Sequence, residues 1–510
     1  MPSPDQGILS PQDFNEVKLS ANTADTEWNP VWKPRHRRRA LSRLRFLFFW
    51  PRSSGSQQQQ QQERRLRSTA WLDGLRGFAA LMVYIHHHEL WVHDQSGLYQ
   101  NKQFENGFGY EGHYRFVAFP FVRNFFTGGH FAVTTFYVIS GYVLSLKALG
   151  LIRLGDTQAL GDHLASALFR RWLRLYLPII IFMTIFVSTW HIFPFWTPRI
   201  EQEGSWRAEL WSLYCELKNF SFIYKEGTVP WIRQHFHLWS IPVEFRGSIV
   251  IYTTLLAISR TPFHTQLWTQ VGLIFYFLYI TDGWYCAMFV AGMLICQLDL
   301  AAQKGELPRF LARLEPYRSF IYYHLLALSL YLGGVPSATQ SIEALSEMRG
   351  WHYLSWLKPQ AVFDYKWFYL FWAATTLVAS VPRISWLKSF FETRGCQYLG
   401  RVSYALYMVH GPVLWTIGDR LYVLVGWYMD EHTEHVPGWI NKVPIPRSGP
   451  MGLELSFLLP QLILLPLTFF MAEIVTRSID TPSVRFASWL YKKATATAGP
   501  QLASPKQRPS

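Results

Sequence analysis

Three adjacent histidines, His86, His87 and His88, close the apolar segment LDGLRGFAALMVYIHHH. An imidazole accepts a proton from a hydroxyl near neutral pH, and an ionisable group inside an apolar segment indicates a functional site. On a helix, at about 100° per residue, the eleven-residue step from Arg76 to His87 leaves about 20° of offset. His86 and His88 lie about 80° and 120° away, on opposite sides of that stripe. The spacing therefore favours His87 as the proton acceptor.

Arg76 lies about 16 Å along the helix from His87, and a guanidinium there is suited to hold phosphate or a developing oxyanion. Asp73, less than one turn earlier, is placed to pair with this arginine or to cap the helix. A cluster that only hydrogen-bonds between helices, or a set of metal ligands, explains the histidine triplet as well. Neighbouring histidines on a helix point in different directions and chelate poorly, so we expect no metal.

A second apolar segment, HLWSIPVEF, places a serine and a glutamate on one face. Ser240 and Glu244 are four residues apart, which is helical spacing. A glutamate in an apolar segment is unlikely to face lipid. Glu244 is therefore placed to orient a histidine, to accept a proton or to pair with Arg246.

A third segment, GRVSYALYMVHGPV, repeats this arrangement. Ser403 and His410 are seven residues apart, within about 20° on a helix, and Tyr407 lies on the flank. Pro412 bends or ends the helix close to the histidine. A structural histidine explains His410 as well as a functional one does.

Two smaller patterns complete the candidates. Ser140 and Gly141, in FYVISGYVLS, are small residues that permit close approach of a ligand or of another helix, and packing alone explains them. In RRWLRLYLP, Arg171 and Arg174 are three residues apart at a helix start. They could serve either as the positive charge that sets the orientation of a membrane helix or as a clamp for the phosphates of a cofactor.

The elements that must position these residues are membrane helices. Of the 510 residues, 50% are hydrophobic and only 16% are charged, against about 25% in soluble domains. Apolar stretches of about 20 residues recur with short polar links, which predicts an all-α bundle of ten spans. Basic residues concentrate in alternate loops, which predicts that both termini are cytosolic. The predicted spans are 70–91, 131–149, 172–193, 238–258, 267–281, 284–298, 319–332, 366–381, 402–425 and 453–475.

Other classes are disfavoured. The net charge of +14 sits at the ends of apolar segments rather than in one basic face, which argues against nucleic-acid binding. The four cysteines lack the paired spacing of a disulfide framework or a zinc site. The basic and aromatic stretch 34–52 suits a membrane surface, although a nuclear-import-like run or a solvated linker also fits.

Five ordered blocks, LDGLRGFAALMVYIHH, FYVISGYVLS, RRWLRLYLP, HLWSIPVEF and LGRVSYALYMVHGPV, resemble the membrane-bound acyltransferase-3 family. The resemblance covers about 69–475. It implies a ten-helix membrane domain, assigned here to 69–485, between a disordered, basic N-terminal region (1–68) and a cytosolic tail (486–510). The chain departs from the family pattern only slightly, with Tyr137 where a second phenylalanine is usual.

The resemblance also implies an activity, namely transfer of an acyl group, often acetyl, from a coenzyme A thioester to a hydroxyl. Acyl-CoA would be a co-substrate, with no permanently bound cofactor, and the acceptor a small molecule or glycan. The glutamine run 57–62 and the long tails are in keeping with a fungal member, for which a small metabolite, in secondary metabolism, is the expected acceptor. The family's arginine and histidine, separated by ten residues, fall on Arg76 and His87. Its paired arginines fall on Arg171 and Arg174, and its serine and glutamate block on Ser240 and Glu244.

These inferences lead to one hypothesis and its rivals. In the hypothesis, Arg171 and Arg174 bind the phosphates of acyl-CoA, and His87 is the general base or carries the acyl group, with Glu244 as its orienting partner. The chief rival is a transporter or proton-coupled carrier, in which His87, Glu244 and His410 form a relay. An acyltransferase of the unrelated histidine/asparagine type shares the chemistry without the five blocks, and a non-enzymatic scaffold needs no charge within the membrane.

Overall fold

The computed structural model describes residues 67–93, 109–110, 113–114, 116–193, 195–198, 200–225, 230–337, 341–450 and 452–496. The basic stretch 34–52 lies outside the described residues. Within them the chain is almost entirely helical. The long helices are α1 (Ala70–His93), α2 (Gly129–Leu154), α3 (Thr157–Ile192), α4 (Trp206–Phe220), α5 (Ser240–Ile258), α6 (Phe263–Phe275), α7 (Trp284–Gln303), α8 (Arg318–Gly333), α9 (Tyr365–Ser380), α10 (Arg394–Val413), α11 (Leu455–Val475) and α12 (Thr481–Ala496).

Short elements join and extend these helices. Single α-helical turns are Asn124–Thr127, Arg309–Ala312, Ile342–Glu347, His352–Ser355, Ser385–Phe391, Asp419–Leu424 and Asp430–His435. The 3₁₀ turns are Phe116–Ala118, Phe236–Trp239, Glu315–Tyr317, Val381–Arg383 and Pro437–Trp439, and the π-helical turns are Tyr276–Ile280, Leu414–Gly418 and Thr476–Asp480. Two-residue strands, Gly109–Tyr110 and His113–Tyr114, form one antiparallel ladder.

Each of the ten segments that the sequence predicts to span the membrane is mostly helical, although 238–258, 267–281 and 402–425 are each divided among two or three helical elements. Among the described residues, five helices are long and apolar enough to cross a bilayer, or six if one pair bent by 99° is a single span. The first predicted span, α1, is long enough but is not among these helices, because its charged and polar groups make it less apolar. Others, such as α6 and α8, have only 13 and 16 residues. The number of crossings therefore stays a prediction, as does the side of the termini. The tail predicted from 486 is helical as far as Ala496.

The packing of α1 against α10 depends on glycine. A Cβ on Gly77 would lie 2.1 Å from the backbone nitrogen of Gly400, and one on Gly400 would lie 2.4 Å from the carbonyl oxygen of Asp73. The two backbones thus touch, as is common where small residues line a helix contact in membranes. This close approach fixes the height of α10 relative to α1, and so of His410 relative to His87.

A second glycine contact joins α2 to α7. A Cβ on Gly141 would lie 1.9 Å from the Phe289 carbonyl oxygen, and one on Gly292 would lie 2.0 Å from the Val138 carbonyl oxygen. Gly141 therefore contacts α7, whereas Ser140 lies on the adjacent face of α2. At the end of α2, Gly155 (φ 69°) reverses the chain, and the Asp156 side chain caps α3 by accepting from the Ala159 N–H at 2.9 Å.

The helix that carries His410 ends where the sequence predicts. α10 stops one residue after Pro412 and passes into the π-helical turn Leu414–Gly418. Proline removes a backbone donor, and π-helical turns are frequent near functional sites. His410 thus lies in the last turn of α10, next to a break in the regular hydrogen-bond ladder.

Candidate active site

His87 is the one member of the histidine triplet that keeps accessible surface. It is half-buried, whereas His86 is 4% exposed and His88 is 0% exposed. His86 packs on Gly129 and against the ring of His130. The Nδ1 atom of His88 lies 2.8 Å from the Tyr422 hydroxyl, in a network that includes Gln461. The two neighbours are thus engaged in packing and hydrogen bonds, and His87 is the most exposed of the three.

Two histidines from other elements surround His87. His410 Nε2 lies 3.2 Å from His87 Nδ1. His87 Nδ1 also lies 3.0 Å from the Val83 carbonyl oxygen in α1. The ring of His237, in the 3₁₀ turn before α5, stacks on His87 with 3.6 Å between centroids and on His410 with 5.0 Å. Three separate stretches of the chain therefore bring their imidazoles to one place.

Tyr407 holds the 3₁₀ turn that carries His237 against α10. Its hydroxyl donates a hydrogen bond to the His237 carbonyl oxygen and lies 2.7 Å from the Ser240 hydroxyl oxygen. Two residues before His237, the His235 ring donates from Nε2 to the Met408 carbonyl oxygen at 2.8 Å. His410 thus contacts His87 directly, and Ser240 and Tyr407, which the sequence proposes from two distant segments, meet at the turn that carries His237.

The same three imidazoles are close enough to suggest a metal. One ligand atom from each of His87, His237 and His410 lies within 4.8 Å of the others. A metal ion must lie along the nitrogen lone pairs, which point outward in the plane of each ring. The planes of His237 and His410 are inclined by 7°, and those of His87 and His237 by 28°. His410 Nε2 lies at hydrogen-bonding distance, 3.2 Å, from His87 Nδ1, so these two nitrogens as placed are engaged with each other rather than with an ion.

A second polar group lies nearer the start of α1. The Arg171 guanidinium forms an ion pair with Glu244, and its Nε donates to the Ser248 hydroxyl at 2.8 Å. The Ser140 side chain lies beside the same carboxylate. The structure therefore places Glu244 on an arginine of α3, whereas the partners of His87 are histidines. Arg246, the partner weighed for Glu244 from the sequence, donates to the Lys225 carbonyl oxygen.

Arg76 and Arg174 lie in the same region as Arg171, and we call these three residues the arginine level. Arg76 pairs with Asp73 at 3.3 Å and donates to the Gly400 carbonyl oxygen at 3.1 Å. Arg76 and Arg174 both interact electrostatically with Asp480, in the π-helical turn before α12. Ser403 donates to the same Gly400 carbonyl at 2.9 Å, which is an ordinary helix back-bond. Three arginines thus lie near one end of α1, and His87 lies about three turns further along the same helix.

The sequence did not single out His237. Its contact with His87 depends on how the turn before α5 docks on α10, and no spacing within one helix encodes that. The available signal was the alternation in HFH, which puts His235 and His237 on the same side if the segment is extended. The Asp480 carboxylate was missed for the same reason.

A bundle with several helices long and apolar enough to cross a bilayer is that of an integral, multi-pass membrane protein. The chain belongs to the acyltransferase-3 family, because the model of its acyltransferase domain matches residues 69–472. It is therefore a membrane acyltransferase. The predicted resemblance is confirmed over nearly the whole helical region.

Two fungal relatives agree with this assignment. An O-acetyltransferase, PaAT-1 of Phomopsis amygdali, is 27% identical over 482 residues, which is 85% of this chain and 86% of that protein. An acyltransferase, clz18 of Cochliobolus lunatus, is 24% identical over 408 residues, which is 71% of this chain and 81% of that protein. No solved structure matches the chain.

Proposed function

We propose that this enzyme transfers an acetyl group from acetyl-CoA to a hydroxyl of a small molecule, with His87 as the general base. The observation that carries the proposal is the burial pattern of the triplet, since His87 is accessible between two buried histidines. A base must reach the proton that it removes, and of the three only His87 can. The printed name of the relative from Phomopsis amygdali supports acetyl as the group and oxygen as its acceptor.

The arginine level is suited to bind the phosphates of coenzyme A, at the end of the acetyl donor away from the thioester. Arg76 lies about 16 Å from His87 along α1, comparable with the reach of the phosphopantetheine arm of coenzyme A. Phosphates bound near Arg76, Arg171 and Arg174 would therefore place the thioester close to His87. Guanidinium groups recognise phosphate through paired N–H donors. The pair between Arg171 and Glu244 holds one of these guanidinium groups in place.

The surroundings of the histidines favour a compact acceptor with apolar surface over a long glycan chain. His237 contacts the rings of Phe236 and Trp415, and a further stack joins Trp284 to Trp367 at 4.0 Å between centroids. Aromatic walls of this kind bind apolar rings and leave few polar partners for a run of sugar hydroxyls. We propose that the acceptor is a small molecule of secondary metabolism, with a glycan as the competing outcome of the test.

The test is acetyl transfer by purified protein. Radiolabelled acetyl-CoA is supplied with two acceptor pools, one of small hydroxylated metabolites and one of glycans, and both labelled product and free CoA are measured. His87→Ala should abolish both, while His324→Ala, an exposed histidine of α8, should not. A folded His87→Ala protein that transfers label at the normal rate refutes the proposal. Movement of a substrate across vesicles with no CoA release would favour a carrier in which His87 and His410 pass protons.

A further inference from the structure

The hydrogen bonds between His87 and His410 fix which nitrogen of each ring carries the proton. His410 Nδ1 lies 3.1 Å from the Leu406 carbonyl oxygen, one turn earlier in α10. A carbonyl oxygen only accepts, so Nδ1 of His410 must be the protonated nitrogen. In the neutral ring, Nε2 of His410 then holds a lone pair. That lone pair faces His87 Nδ1 at 3.2 Å.

The same reasoning fixes His87. Its Nδ1 faces two acceptors, the Val83 carbonyl oxygen at 3.0 Å and the His410 Nε2 lone pair. Two facing acceptors require a donor between them, so His87 Nδ1 carries the hydrogen. The second nitrogen of His87, Nε2, is then the basic one. The protons thus follow one direction, from His87 Nδ1 to His410 Nε2 and from His410 Nδ1 to the Leu406 carbonyl oxygen.

We propose that His410 is a positioning residue that holds His87 as the Nδ1–H tautomer and takes up the Nδ1 proton when His87 gains a proton at Nε2. The inference rests on the proposed function, in which His87 is the base. It adds a definite reactive nitrogen and a second imidazole over which the positive charge is shared. A serine protease uses an aspartate behind its histidine to fix the tautomer, and here the group behind the histidine is neutral.

The atoms of the step balance. The acceptor O–H bond breaks, its proton goes to His87 Nε2, and the oxygen forms a bond to the thioester carbonyl carbon. As His87 becomes a cation, its Nδ1 proton moves to His410 Nε2, so that His410 carries the charge while it still donates to Leu406. When the carbon–sulfur bond breaks, the Nδ1 proton returns to His87, and the Nε2 proton passes to the departing thiolate. The products are the acetyl ester and CoA–SH, and both histidines are neutral again.

The packing keeps His410 available for this role alone. His410 is 1% exposed and His237 5% exposed, and their rings stack with an inclination of 7°. His237 Nδ1 finds no hydrogen-bond partner among the described residues. His410 is almost fully buried and its Nε2 contacts His87, which is the more exposed of the two rings. This is why we call His410 a positioning residue rather than a catalytic one.

Two substitutions separate the parts of this role. His410→Gln can present an amide oxygen near the Nε2 position, which accepts from His87 Nδ1 but cannot take its proton. His410→Met fills a similar volume and does neither. We expect kcat to fall about 10-fold in His410→Gln and about 100-fold in His410→Met, with KM for both substrates within about threefold of normal. His88→Gln is the matched control, because it alters a buried histidine on the next face of α1 and should keep kcat within about threefold.

A spectroscopic measurement tests the tautomer without any turnover. In protein labelled with ¹⁵N-histidine, the signals lost in His87→Ala should be those of a neutral ring with hydrogen on Nδ1, and His410→Met should shift that ring toward a mixture of tautomers. Hydrogen on Nε2 of His87 in the resting protein overturns the inference. A folded His410→Met protein with normal kcat also overturns the inference. If His87→Ala is inactive in the same assay, the proposed function survives that result. A His87→Ala protein of normal activity removes the proposed function itself.

Discussion

Arg171 on α3 and Glu244 on α5 form an ion pair in which each side chain keeps only 13% or 14% of its surface accessible. Removal of one partner leaves a charge in an environment that cannot solvate it, which costs about 3–5 kcal/mol, whereas removal of both restores neutrality. We expect Arg171→Met to lower the melting temperature in detergent strongly and Arg171→Met/Glu244→Met to recover most of it. Thermal unfolding followed by tryptophan fluorescence measures both.

Arg233 and Glu203 provide the control for this prediction, because their pair at 2.6 Å is more exposed, at 38% and 36%. Arg233→Met should cost less than about 1 kcal/mol. If Arg171 also binds phosphate, the double variant should be stable yet show a raised KM for acetyl-CoA. A double variant with normal KM would leave Arg76 and Arg174 as the phosphate ligands, and a single variant as stable as the double would show that the pair contributes nothing.

Gly141 offers a test of the glycine contact between α2 and α7. A methyl group there would lie 1.9 Å from the Phe289 carbonyl oxygen, whereas one on Gly150 of the same helix would meet nothing within 4 Å. Gly141→Ala must push α7 away, at a cost of about 1–3 kcal/mol. Gly150→Ala should be neutral or slightly stabilising, because alanine favours the helix by up to about 1 kcal/mol. Equal melting temperatures for the two variants would contradict the close approach.

The sequence predicted best what lies within one helix. His87 stands out from His86 and His88 because the offset from Arg76 depends only on helical geometry, and α1 is one continuous helix from Ala70 to His93. Partners on different helices were not predictable in this way. Glu244 pairs with Arg171, which is 73 residues earlier, and His87 meets His410, which is 323 residues later. Such pairs follow from how the helices dock, which glycine contacts set and residue periodicity does not encode.

A chelator should have no effect on the activity. His410 Nε2 lies 3.2 Å from His87 Nδ1, so these two nitrogens are engaged in a hydrogen bond with each other rather than with an ion. We therefore expect purified protein to contain well below about one zinc per chain and to keep kcat within about twofold after dialysis against EDTA. Metal analysis by mass spectrometry and the acetyl-transfer assay measure these. Stoichiometric metal that leaves together with activity, and returns activity when added back, would show that the three histidines are ligands.

Tyr407 is expected to matter for turnover more than for stability. Its hydroxyl joins α10 to the turn that carries His237 and to Ser240, so Tyr407→Phe frees that turn to shift beside His87. The loss of one hydrogen bond costs about 1 kcal/mol, but a small displacement at a reacting centre lowers kcat about 10-fold or more. Steady-state kinetics and thermal unfolding of the same preparation measure the two effects.

The matched control is Tyr369→Phe on α9, because that hydroxyl also donates to a backbone carbonyl oxygen, of Leu354, at 2.6 Å. Both variants should lose a similar amount of stability, since each loses a hydrogen bond to main chain. Only Tyr407→Phe should lose kcat, because only Tyr407 holds an element that contacts His87. If the two variants lose activity equally, the effect follows from stability alone, and the turn with His237 has no part in positioning the base.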